Sequence, residues 1–303
     1  MKYDYEVVVV GCGPAGITSA IYLKRANINV CIIEKSAPGG QLNKSSTIEN
    51  YPGFTKITGP ELAYNFYNQI NNLNIAFINE EVIEITDKKD YKIVKTNKQE
   101  ITCKGVILAL GRKPRTFDNN NIRSLEGKGV SYCSICDGPL FKGEDVSIIG
   151  GGNSALEEAL FLSDICKSVT IIHRRDIFRG DKILIDKVLN KDNIKVLYNS
   201  VVVKFNKEND ILESIDINEN GKIINLTVKA CFIFIGYVPA TSFLDNLDIL
   251  DEKGYIKTDK NFRTDIPFIY ACGDTINKNV YQIVTATGEG ATAAISFIND
   301  YSE

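Results

Sequence analysis

Several features are scarce in this 303-residue sequence, and each absence argues against a class of protein. There is a single histidine, which argues against a histidine metal cluster and against a histidine-based catalytic triad. The formal net charge is -3, so the basic excess that marks a nucleic-acid or anionic-membrane surface is missing. No stretch approaches the roughly 18 continuous apolar residues of a membrane-spanning helix. We therefore expect neither nucleic acid nor a membrane as a partner.

We also expect no secretion signal. The first apolar run starts at Val7 behind charged residues and leads into glycines, which is typical of a strand and not of a signal peptide. Among the eight cysteines, only Cys133 and Cys136 are closely spaced. The sequence thus indicates a cytoplasmic protein with reduced thiols and one pair that can do redox chemistry.

Length and composition favour a folded protein of two domains. Apolar residues make up 44% and charged residues 24% of the chain, close to the averages for soluble globular proteins. The length is roughly twice that of a typical domain. Disorder, a fibrous repeat and a small disulfide-stapled scaffold are therefore disfavoured.

A strand, a glycine-rich turn, a helix and a second strand occur twice at the same spacing. The first copy begins with the β-branched run Val7–Val10 and ends on Glu34. The second begins at Val146 and ends on His173, so the unit recurs with a shift of 139 residues. This duplication predicts an α/β fold with two Rossmann-like dinucleotide-binding domains of the three-layer β/β/α type.

We expect the second domain to be an insertion in the first. The residues that follow the second unit are too few for a third domain, and their pattern holds a strand and a helix. We therefore assign 1–112 and 243–303 to one discontinuous domain and 115–240 to the other. Hinges are expected near 112–114 and 236–242.

Outside the repeat, local patterns predict a small number of further elements. A helix is expected from 59 to about 71, because the sequence Gly-Pro-Glu is typical of a helix start. Short alternating runs over 72–102 predict antiparallel strands. Near the end of the chain, a strand is expected over 268–271 and a helix over about 288–297.

The first turn has the glycine pattern of a dinucleotide site. Gly11 permits the tight turn, Gly13 lets a pyrophosphate approach the backbone, and the following helix supplies partial positive charge. Glu34 is placed to accept hydrogen bonds from an adenosine ribose, whose 2′-hydroxyl is free in NAD and FAD. The alternative is a packing turn followed by a surface glutamate.

The second unit carries a basic run where the first has its glutamate. His173 stands at the equivalent position and is followed by Arg174 and Arg175, with Arg179 one helical turn further on. Guanidinium groups clamp a 2′-phosphate with charge-assisted hydrogen bonds. The run therefore favours NADPH over NADH, and a solvated basic stretch is the alternative.

Two cysteines at positions i and i+3 form the third motif. Cys133 and Cys136 can close a small disulfide ring, and a turn or helix N-terminus favours a thiolate there. Half of a zinc site and a pair of structural thiols are the alternatives. Zinc would need two more ligands, and the sequence has neither another C-x-x-C nor a spare histidine.

Taken together, these motifs closely resemble the low-molecular-weight thioredoxin reductases over nearly the whole chain. The segments that carry the resemblance are Gly11-Cys12-Gly13-Pro14-Ala15-Gly16, Pro38-Gly39-Gly40-Gln41, Asn50-Tyr51-Pro52-Gly53, Cys133-Ser134-Ile135-Cys136-Asp137-Gly138, Gly150-Gly151-Gly152-Asn153-Ser154-Ala155, His173-Arg174-Arg175-Asp176-Ile177-Phe178-Arg179 and Ala271-Cys272-Gly273-Asp274.

The resemblance implies FAD in the first domain and NADPH in the second. Cys136 would face the flavin and Cys133 would attack the disulfide of thioredoxin, with Asp137 as general acid. The implied FAD contacts are Gly11, Gly13, Pro14, Ala15, Gly16, Glu34, Lys35, Gly40, Gln41, Asn50, Val82, Gly111, Gly273, Asp274, Gln282 and Ile283. The implied NADPH contacts are Gly150, Gly152, Asn153, Ser154, His173, Arg174, Arg175 and Arg179.

Thioredoxin as protein substrate and a homodimer are further implications. Electrons would pass from NADPH to FAD, to the Cys133–Cys136 disulfide and to thioredoxin. Because the NADPH motif and the cysteine pair share one domain, we expect that domain to rotate between half-reactions. Alternative functions are an NADPH-flavin reductase for another acceptor, such as a peroxiredoxin system, a thioredoxin-like protein or ferredoxin, and a non-catalytic dinucleotide-binding redox sensor.

The sequence departs from the family's pattern at three places. Tyr281 precedes Gln282 where a basic residue is common, and Leu110 stands where a threonine is usual. Pro139 and Leu140 replace the paired aromatic residues that often follow the Asp-Gly of the cysteine motif. We expect these changes to alter flavin contacts and partner choice rather than the chemistry.

Overall fold

The structure is a computed structural model that describes residues 3–45, 47–117 and 120–302. Its strands are β1 (Tyr5–Val10), β2 (Val30–Ile33), β3 (Ala76–Ile78), β4 (Val82–Asp87), β5 (Lys92–Thr96), β6 (Glu100–Leu108), β7 (Arg112–Pro114), β8 (Val130–Ser131), β9 (Asp145–Gly150), β10 (Ser168–Ile172), β11 (Ile194–Leu197), β12 (Ser200–Glu208), β13 (Ile211–Glu219), β14 (Lys222–Thr227), β15 (Ala230–Phe234), β16 (Tyr237–Pro239) and β17 (Ile269–Ala271). Its α-helices are α1 (Pro14–Arg25), α2 (Gly59–Asn72), α3 (Asn120–Arg123), α4 (Ser134–Asp137), α5 (Asn153–Ser163), α6 (Lys182–Leu189) and α7 (Ile283–Ser302). Short 3-10 helices cover Gly40–Lys44, Gly138–Phe141 and Gly273–Thr275. Within the described ranges, no helix combines the length and apolar character needed to cross a membrane.

Two compact units divide the chain. The first consists of Met1–Lys113 together with Val238–Glu303, and the second of Pro114–Tyr237. The chain leaves the first unit at β7 and returns at β16, and these two short strands pair with each other. The first unit resumes at Val238, so the predicted domain end at residue 240 falls within it.

The first unit is built on a sheet with the strand order β3-β2-β1-β6-β5-β4, and β17 also pairs with β6. Neighbouring strands are parallel except for β4, β5 and β6, which pair antiparallel. Val7 and Val9 of β1 pack with Ile17 of α1. Val8 and Val10 pack in a second core on the opposite face, because successive strand residues point to opposite sides.

The second unit has a parallel sheet in the order β11-β10-β9-β15-β8 and an antiparallel sheet formed by β12, β13 and β14. Ile171 of β10 packs with Leu156 of α5. The next residue, Ile172, packs with Phe205 and Ile215 of the antiparallel sheet. The prediction of an α/β fold with two Rossmann-like domains is confirmed.

Two predicted elements were wrong in extent or pairing. The last helix covers Ile283–Ser302 rather than 288–297, although it contains glycines that usually weaken helices. Gly290 lets this helix approach α1 closely, since a Cβ there would collide with the carbonyl oxygen of Ala15. The region 72–102 also contains β3, which pairs parallel with β2 and not antiparallel.

Candidate functional site

The first glycine turn joins β1 to α1 and leaves an open cradle at the helix N-terminus. A Cβ on Gly16 would collide with the backbone oxygen of Gly11, and one on Gly11 would collide with that of Ala109. A Cβ on Gly13, which precedes the helix, would meet no atom within 4 Å. The free N–H groups and the dipole at a helix start favour an anion. The turn, which continues into Pro14 and Ala15, therefore fits a phosphate close to the backbone.

Glu34 follows β2 beside this turn. One carboxylate oxygen accepts the backbone N–H of Cys12 at 3.0 Å, and the other accepts that of Ser36 at 2.9 Å. These bonds hold the carboxylate in place and leave lone pairs for further hydrogen bonds. The position fits the predicted ribose contact. The next residue, Lys35, forms a surface ion pair with Glu81 at 2.9 Å.

Loops of the same unit bring other predicted dinucleotide contacts together. Gly40 and Gln41 begin a 3-10 helix, and the Gln41 side chain donates to the carbonyl oxygen of Arg112 at 2.8 Å. The Asn50 amide donates to the carboxamide oxygen of Gln282 at 3.2 Å. These two amide contacts hold Gln41, Asn50 and Gln282 in fixed orientations.

The remaining predicted contacts of this unit lie at strand ends and at one helix start. Gly111 follows β6, and Gly273 and Asp274 follow β17, which is the parallel neighbour of β6. Carboxyl ends of parallel strands meet at one sheet edge, where ligands of such folds bind. Val82 is buried at the start of β4, and Ile283 is the first residue of α7.

The second glycine turn joins β9 to α5 and repeats the open position of the first. A Cβ on Gly150 would lie 2.5 Å from the carbonyl oxygen of Phe234, and one on Gly151 would collide with the ring of His173. A Cβ on Gly152, which precedes α5, would meet nothing within 4 Å. This turn therefore also leaves room for a phosphate at a helix N-terminus.

The start of α5 is fixed by a reciprocal pair of hydrogen bonds. The Asn153 amide donates to the Asp181 carboxylate at 2.9 Å, and its oxygen accepts the backbone N–H of Asp181 at 2.7 Å. The Asn153 side chain is thus held at the helix N-terminus. Ser154, the next residue, lines the adjacent cavity together with Asn153.

That cavity lies within the second unit and has a volume of about 610 Å³. Arg174, Arg175 and Arg179 all line it. In the part of the chain that the structure describes, none of the three forms an ion pair with an acidic side chain. Their positive charges therefore remain available to an anion in the cavity.

His173 lines the same cavity but has a different role from the arginines. Its side chain is buried, Nε2 lies 2.8 Å from the carbonyl oxygen of Ile177, and the ring packs on Phe178. The ring also occupies the space next to Gly151. His173 therefore gives the cavity its shape, whereas the arginines give it charge.

Cys133 and Cys136 form a disulfide at the start of α4. The backbone N–H of Cys136 donates to the Cys133 sulfur at 3.3 Å. Hydrogen bonds of this kind stabilise a thiolate over a thiol. A disulfide of this kind can accept two electrons, and the hydrogen bond favours negative charge on the Cys133 sulfur.

Ser131 links this pair to Asp137. Its hydroxyl donates to the Asp137 carboxylate at 2.6 Å and accepts the backbone N–H of Cys133 at 3.0 Å. The Asp137 carboxylate is thereby fixed next to the cysteines. Sequence reasoning missed Ser131, because nothing in the local pattern sets this serine apart from others.

The other cysteines of the chain are buried and free. Burial raises the pKa of Cys12 to about 12 and that of Cys166 to about 11, so they remain unreactive thiols at neutral pH. Across the described ranges, no group of three or more His, Cys, Asp or Glu side chains is arranged to hold a metal ion. The redox chemistry of the chain is therefore assigned to Cys133 and Cys136.

Comparisons with known proteins point to one family. The family model described as pyridine nucleotide-disulphide oxidoreductase matches residues 5–290. A thioredoxin reductase from Ureaplasma parvum is 42% identical over 96% of this chain and 95% of its own. The crystal structure of Lactococcus lactis thioredoxin reductase (FR conformation) covers 99% of both chains at 36% identity with a TM-score of 0.97. That of T. acidophilum thioredoxin reductase covers 100% of both at 33% identity with a TM-score of 0.95. The chain belongs to the pyridine nucleotide-disulphide oxidoreductase family.

In this pyridine nucleotide-disulphide oxidoreductase, a charged network surrounds Asp274 that sequence reasoning missed. Asp274 pairs with Arg112 and with Lys278, each at 3.3 Å. Lys278 also pairs with Glu289 at 2.7 Å, and Glu289 accepts the backbone N–H of Gly273 at 2.9 Å. Burial raises the pKa of Glu289, and Lys278 opposes that shift. The network fixes the loop after β17.

Tyr281 packs on this network. The Arg112 guanidinium lies 3.7 Å from the centre of the Tyr281 ring, a cation–π geometry. The Tyr281 hydroxyl accepts the backbone N–H of Lys278 at 3.4 Å. At position 281, where the family commonly has a basic residue, this chain therefore packs an aromatic ring against the guanidinium of Arg112.

Proposed function

We propose that this chain is an NADPH-dependent flavoprotein that reduces the disulfide of thioredoxin. The observation that carries the proposal is the Cys133–Cys136 disulfide, which lies in the same unit as an arginine-lined dinucleotide cavity. Family membership supports a nicotinamide cofactor and a disulfide substrate. Thioredoxin reductases that match nearly the whole chain support thioredoxin as that substrate.

We assign FAD to the first unit and NADPH to the second. The glycine cradle fits a pyrophosphate, and Glu34 fits a ribose with a free 2′-hydroxyl. Arg174, Arg175 and Arg179 fit a 2′-phosphate, because guanidinium groups bind phosphate oxygens in pairs of hydrogen bonds. When bound, these cofactors supply the transfer of two electrons from NADPH through the flavin to the disulfide.

The reduced pair passes its electrons on by thiol–disulfide exchange. The Cys133 thiol passes its proton to Asp137, and the resulting thiolate attacks one sulfur of the thioredoxin disulfide. A mixed disulfide forms, and the leaving thioredoxin sulfur takes that proton from Asp137. The Cys136 thiolate then attacks the Cys133 sulfur, which restores the enzyme disulfide. The second thioredoxin sulfur leaves and takes up a proton, so thioredoxin gains two electrons and two protons.

The second unit is proposed to turn relative to the first between half-reactions. Its dinucleotide cavity and its disulfide both have to reach one flavin, and each would block the other. The expected hinges near 112–114 and 236–242 include β7 and β16, where the chain crosses between the units. Short crossings of this kind are typical hinge positions.

A homodimer and a cytoplasmic location are also proposed from the resemblance. The free buried cysteines support a reducing compartment. Light scattering on the purified protein tests the dimer, and a mass equal to one chain would contradict it.

Replacing each cysteine of the pair tests the proposed function. Cys133→Ser and Cys136→Ser should each abolish thioredoxin-dependent NADPH oxidation, while NADPH still bleaches the visible absorption of the bound flavin. Cys166→Ser is the matched control, because Cys166 is a free buried cysteine of the same unit, and it should retain turnover. Full thioredoxin turnover in either variant of the pair would contradict the assignment. A colourless protein that does not take up FAD would contradict the flavoprotein itself.

A further inference from the structure

The arginine loop of the second unit, residues 174–181, lies against the start of α5. The backbone N–H of Arg179 donates to the carbonyl oxygen of Gly151 at 2.8 Å. A Cβ on Gly180 would collide with the side chain of Leu156 on α5, so the backbone of the loop touches this helix. Arg179, which lines the dinucleotide cavity, is therefore carried by a segment that packs on the second glycine turn and the helix after it.

The first part of the arginine loop is held by other contacts. The carbonyl oxygen of Arg175 accepts the backbone N–H of Asn199 at 3.0 Å. Nε2 of His173 lies 2.8 Å from the carbonyl oxygen of Ile177. The contacts with the glycine turn and α5 thus concern the last part of the loop, residues 179–181.

Asp181 ends the loop and occupies the N-cap of α6. An aspartate at this position normally accepts N–H groups of the first helical turn, but Asp181 makes no such bond to the described residues 182–189. Its carboxylate instead accepts the Asn153 amide at 2.9 Å, and its backbone N–H donates to the Asn153 oxygen at 2.7 Å. The Asp181 side chain therefore bonds to α5 and not to its own helix.

We propose that the Asp181–Asn153 pair positions Arg179 for the 2′-phosphate of NADPH and so contributes to the preference for NADPH over NADH. The inference rests on the proposed function, because it assigns a role beside the same cavity. Only Gly180 separates Arg179 from Asp181, so the bond at Asp181 limits how far Arg179 can move. Among the described residues, Asp181 is not one that lines the cavity. It is a positioning residue that acts through Arg179.

The charge of Asp181 separates positioning from simple electrostatics. Its carboxylate is bonded to Asn153, which lines a cavity proposed to hold phosphates. By charge alone, removal of this carboxylate should strengthen the binding of an anion. Positioning predicts the opposite, because loss of the bond to Asn153 releases Arg179. The two explanations therefore differ in the sign of the change.

Equilibrium binding to the FAD-loaded protein tests the proposal. Isothermal titration calorimetry gives the Kd for NADP⁺, and competition with NADP⁺ gives that for NAD⁺. Asp181→Ser keeps an N-cap residue for α6 but is too short to reach the Asn153 amide. It should raise the Kd for NADP⁺ about three- to tenfold and that for NAD⁺ less than about twofold. The KM for NADPH should rise while kcat stays unchanged, since ground state and transition state lose the contact alike.

Three further variants serve as comparisons. Asp181→Asn removes the charge but keeps an oxygen that can accept from Asn153, so it should bind NADP⁺ like wild type. The double variant Arg179→Ala, Asp181→Ser should bind NADP⁺ no more weakly than Arg179→Ala, because Asp181 acts through Arg179. Asp186→Ser removes another exposed carboxylate of the α6 region and should not weaken binding.

Three outcomes would overturn the proposal. They are wild-type or tighter NADP⁺ binding by Asp181→Ser, an equal loss in Asp181→Asn, and additive losses in the double variant. Asp181 is exposed and serine is a good N-cap residue, so Asp181→Ser should unfold at the wild-type temperature, and weaker binding would not reflect loss of the fold.

The two proposals fail in distinguishable ways. If NADPH does not reduce the wild-type protein, or the reduced protein does not reduce thioredoxin, the proposed function is wrong. If both reactions proceed and Asp181→Ser keeps the wild-type preference for NADP⁺ over NAD⁺, only the positioning inference is wrong.

Discussion

The two strand–turn–helix–strand segments share a backbone plan and differ in the side chains that would face a ligand. Gly11 and Gly150 correspond at a shift of 139. A Cβ on Gly11 would press on the carbonyl oxygen of Ala109, directly after β6, and one on Gly150 would press on that of Phe234 in β15. The segments diverge after the second strand, where Glu34 is held by backbone N–H groups and His173 is packed among aromatic rings. The first glycine of each turn is thus limited by backbone contact in both units, whereas the residue that ends the second strand differs between them.

A second difference between the two units lies at equivalent positions of α1 and α5. Ser19 of α1 corresponds to Glu158 of α5, and both are buried. The Ser19 hydroxyl lies 2.9 Å from the carbonyl oxygens of Ala15 and Gly290 and is fully satisfied. Oε2 of Glu158 has no such partner among the described residues. One position therefore supports helix packing in the first unit and adjoins the redox pair in the second.

Alanine substitutions in the first glycine turn should separate backbone packing from ligand contact, and Gly16→Ala is expected to have the largest effect. Its methyl group would overlap the carbonyl oxygen of Gly11, and overpacking of this kind destabilises a fold by about 1–3 kcal/mol or more. Gly13→Ala places the same methyl in open space, so the fold should persist while FAD affinity falls. Thermal unfolding with and without added FAD measures both outcomes.

An equivalent substitution in the second unit provides a matched test of the ligand contact. Ala155 already stands at the position equivalent to Gly16, and Gly152→Ala mirrors Gly13→Ala because its surroundings are equally open. Gly152→Ala should weaken NADPH binding and leave the FAD content unchanged. Equal losses of stability in Gly13→Ala and Gly16→Ala would show that the open position is not a ligand cradle.

The features of the fold that could be predicted from the sequence are those set by local sequence patterns. The repeat predicted both Rossmann-like domains, and the helix expected from 59 to about 71 is confirmed as Gly59–Asn72. That helix carries its own start signal, since Thr58 and Glu61 form a capping box. Such signals lie within a few residues of one another and need no tertiary context.

The features that could not be predicted depend on contacts between residues that are distant in the sequence. Arg112 reaches Asp274 and Tyr281 because β6 and β17 are parallel neighbours and end at the same sheet edge. The burial of Glu158 could not be predicted either, because Glu157 beside it is chemically identical. Helix packing alone leaves Glu157 exposed and buries Glu158.

Removal of Arg174 and Arg175 should reduce the preference of the second unit for NADPH over NADH. The double variant Arg174→Ala, Arg175→Ala should lose two proposed charge-assisted hydrogen bonds of at least about 1.5 kcal/mol each, so the NADPH preference should fall by at least about a hundredfold. The ratio of kcat/KM for NADPH and NADH measures the change. Lys191→Ala removes a positive charge that pairs with Asp164 in the same unit and should leave the ratio unchanged. An undiminished ratio in the double variant would identify the arginines as a solvated basic run.

The smallest expected effect is a pH dependence of stability that arises at the position of Glu158. Burial raises the pKa of this carboxyl from 4.5 to about 8. Between about pH 6 and pH 7 the folded protein therefore holds a proton that the unfolded chain has lost. The stabilisation that this bound proton provides is complete below the pKa of Glu158 in the unfolded chain, 4.5. It is lost as the pH rises through the pKa of Glu158 in the folded protein, about 8. Wild type should lose up to about 1.4 kcal/mol over that one pH unit through this group.

Urea unfolding of wild type and Glu158→Gln at the two pH values measures this contribution, because the glutamine has no proton to lose and should show a smaller decline. Ser19→Ala is the control in the first unit, since it removes a hydroxyl but no titratable group and should lower stability equally at both pH values. If wild type and Glu158→Gln decline alike, Glu158 is ionised in the folded protein. The contrast between the two helix positions would then be one of charge alone.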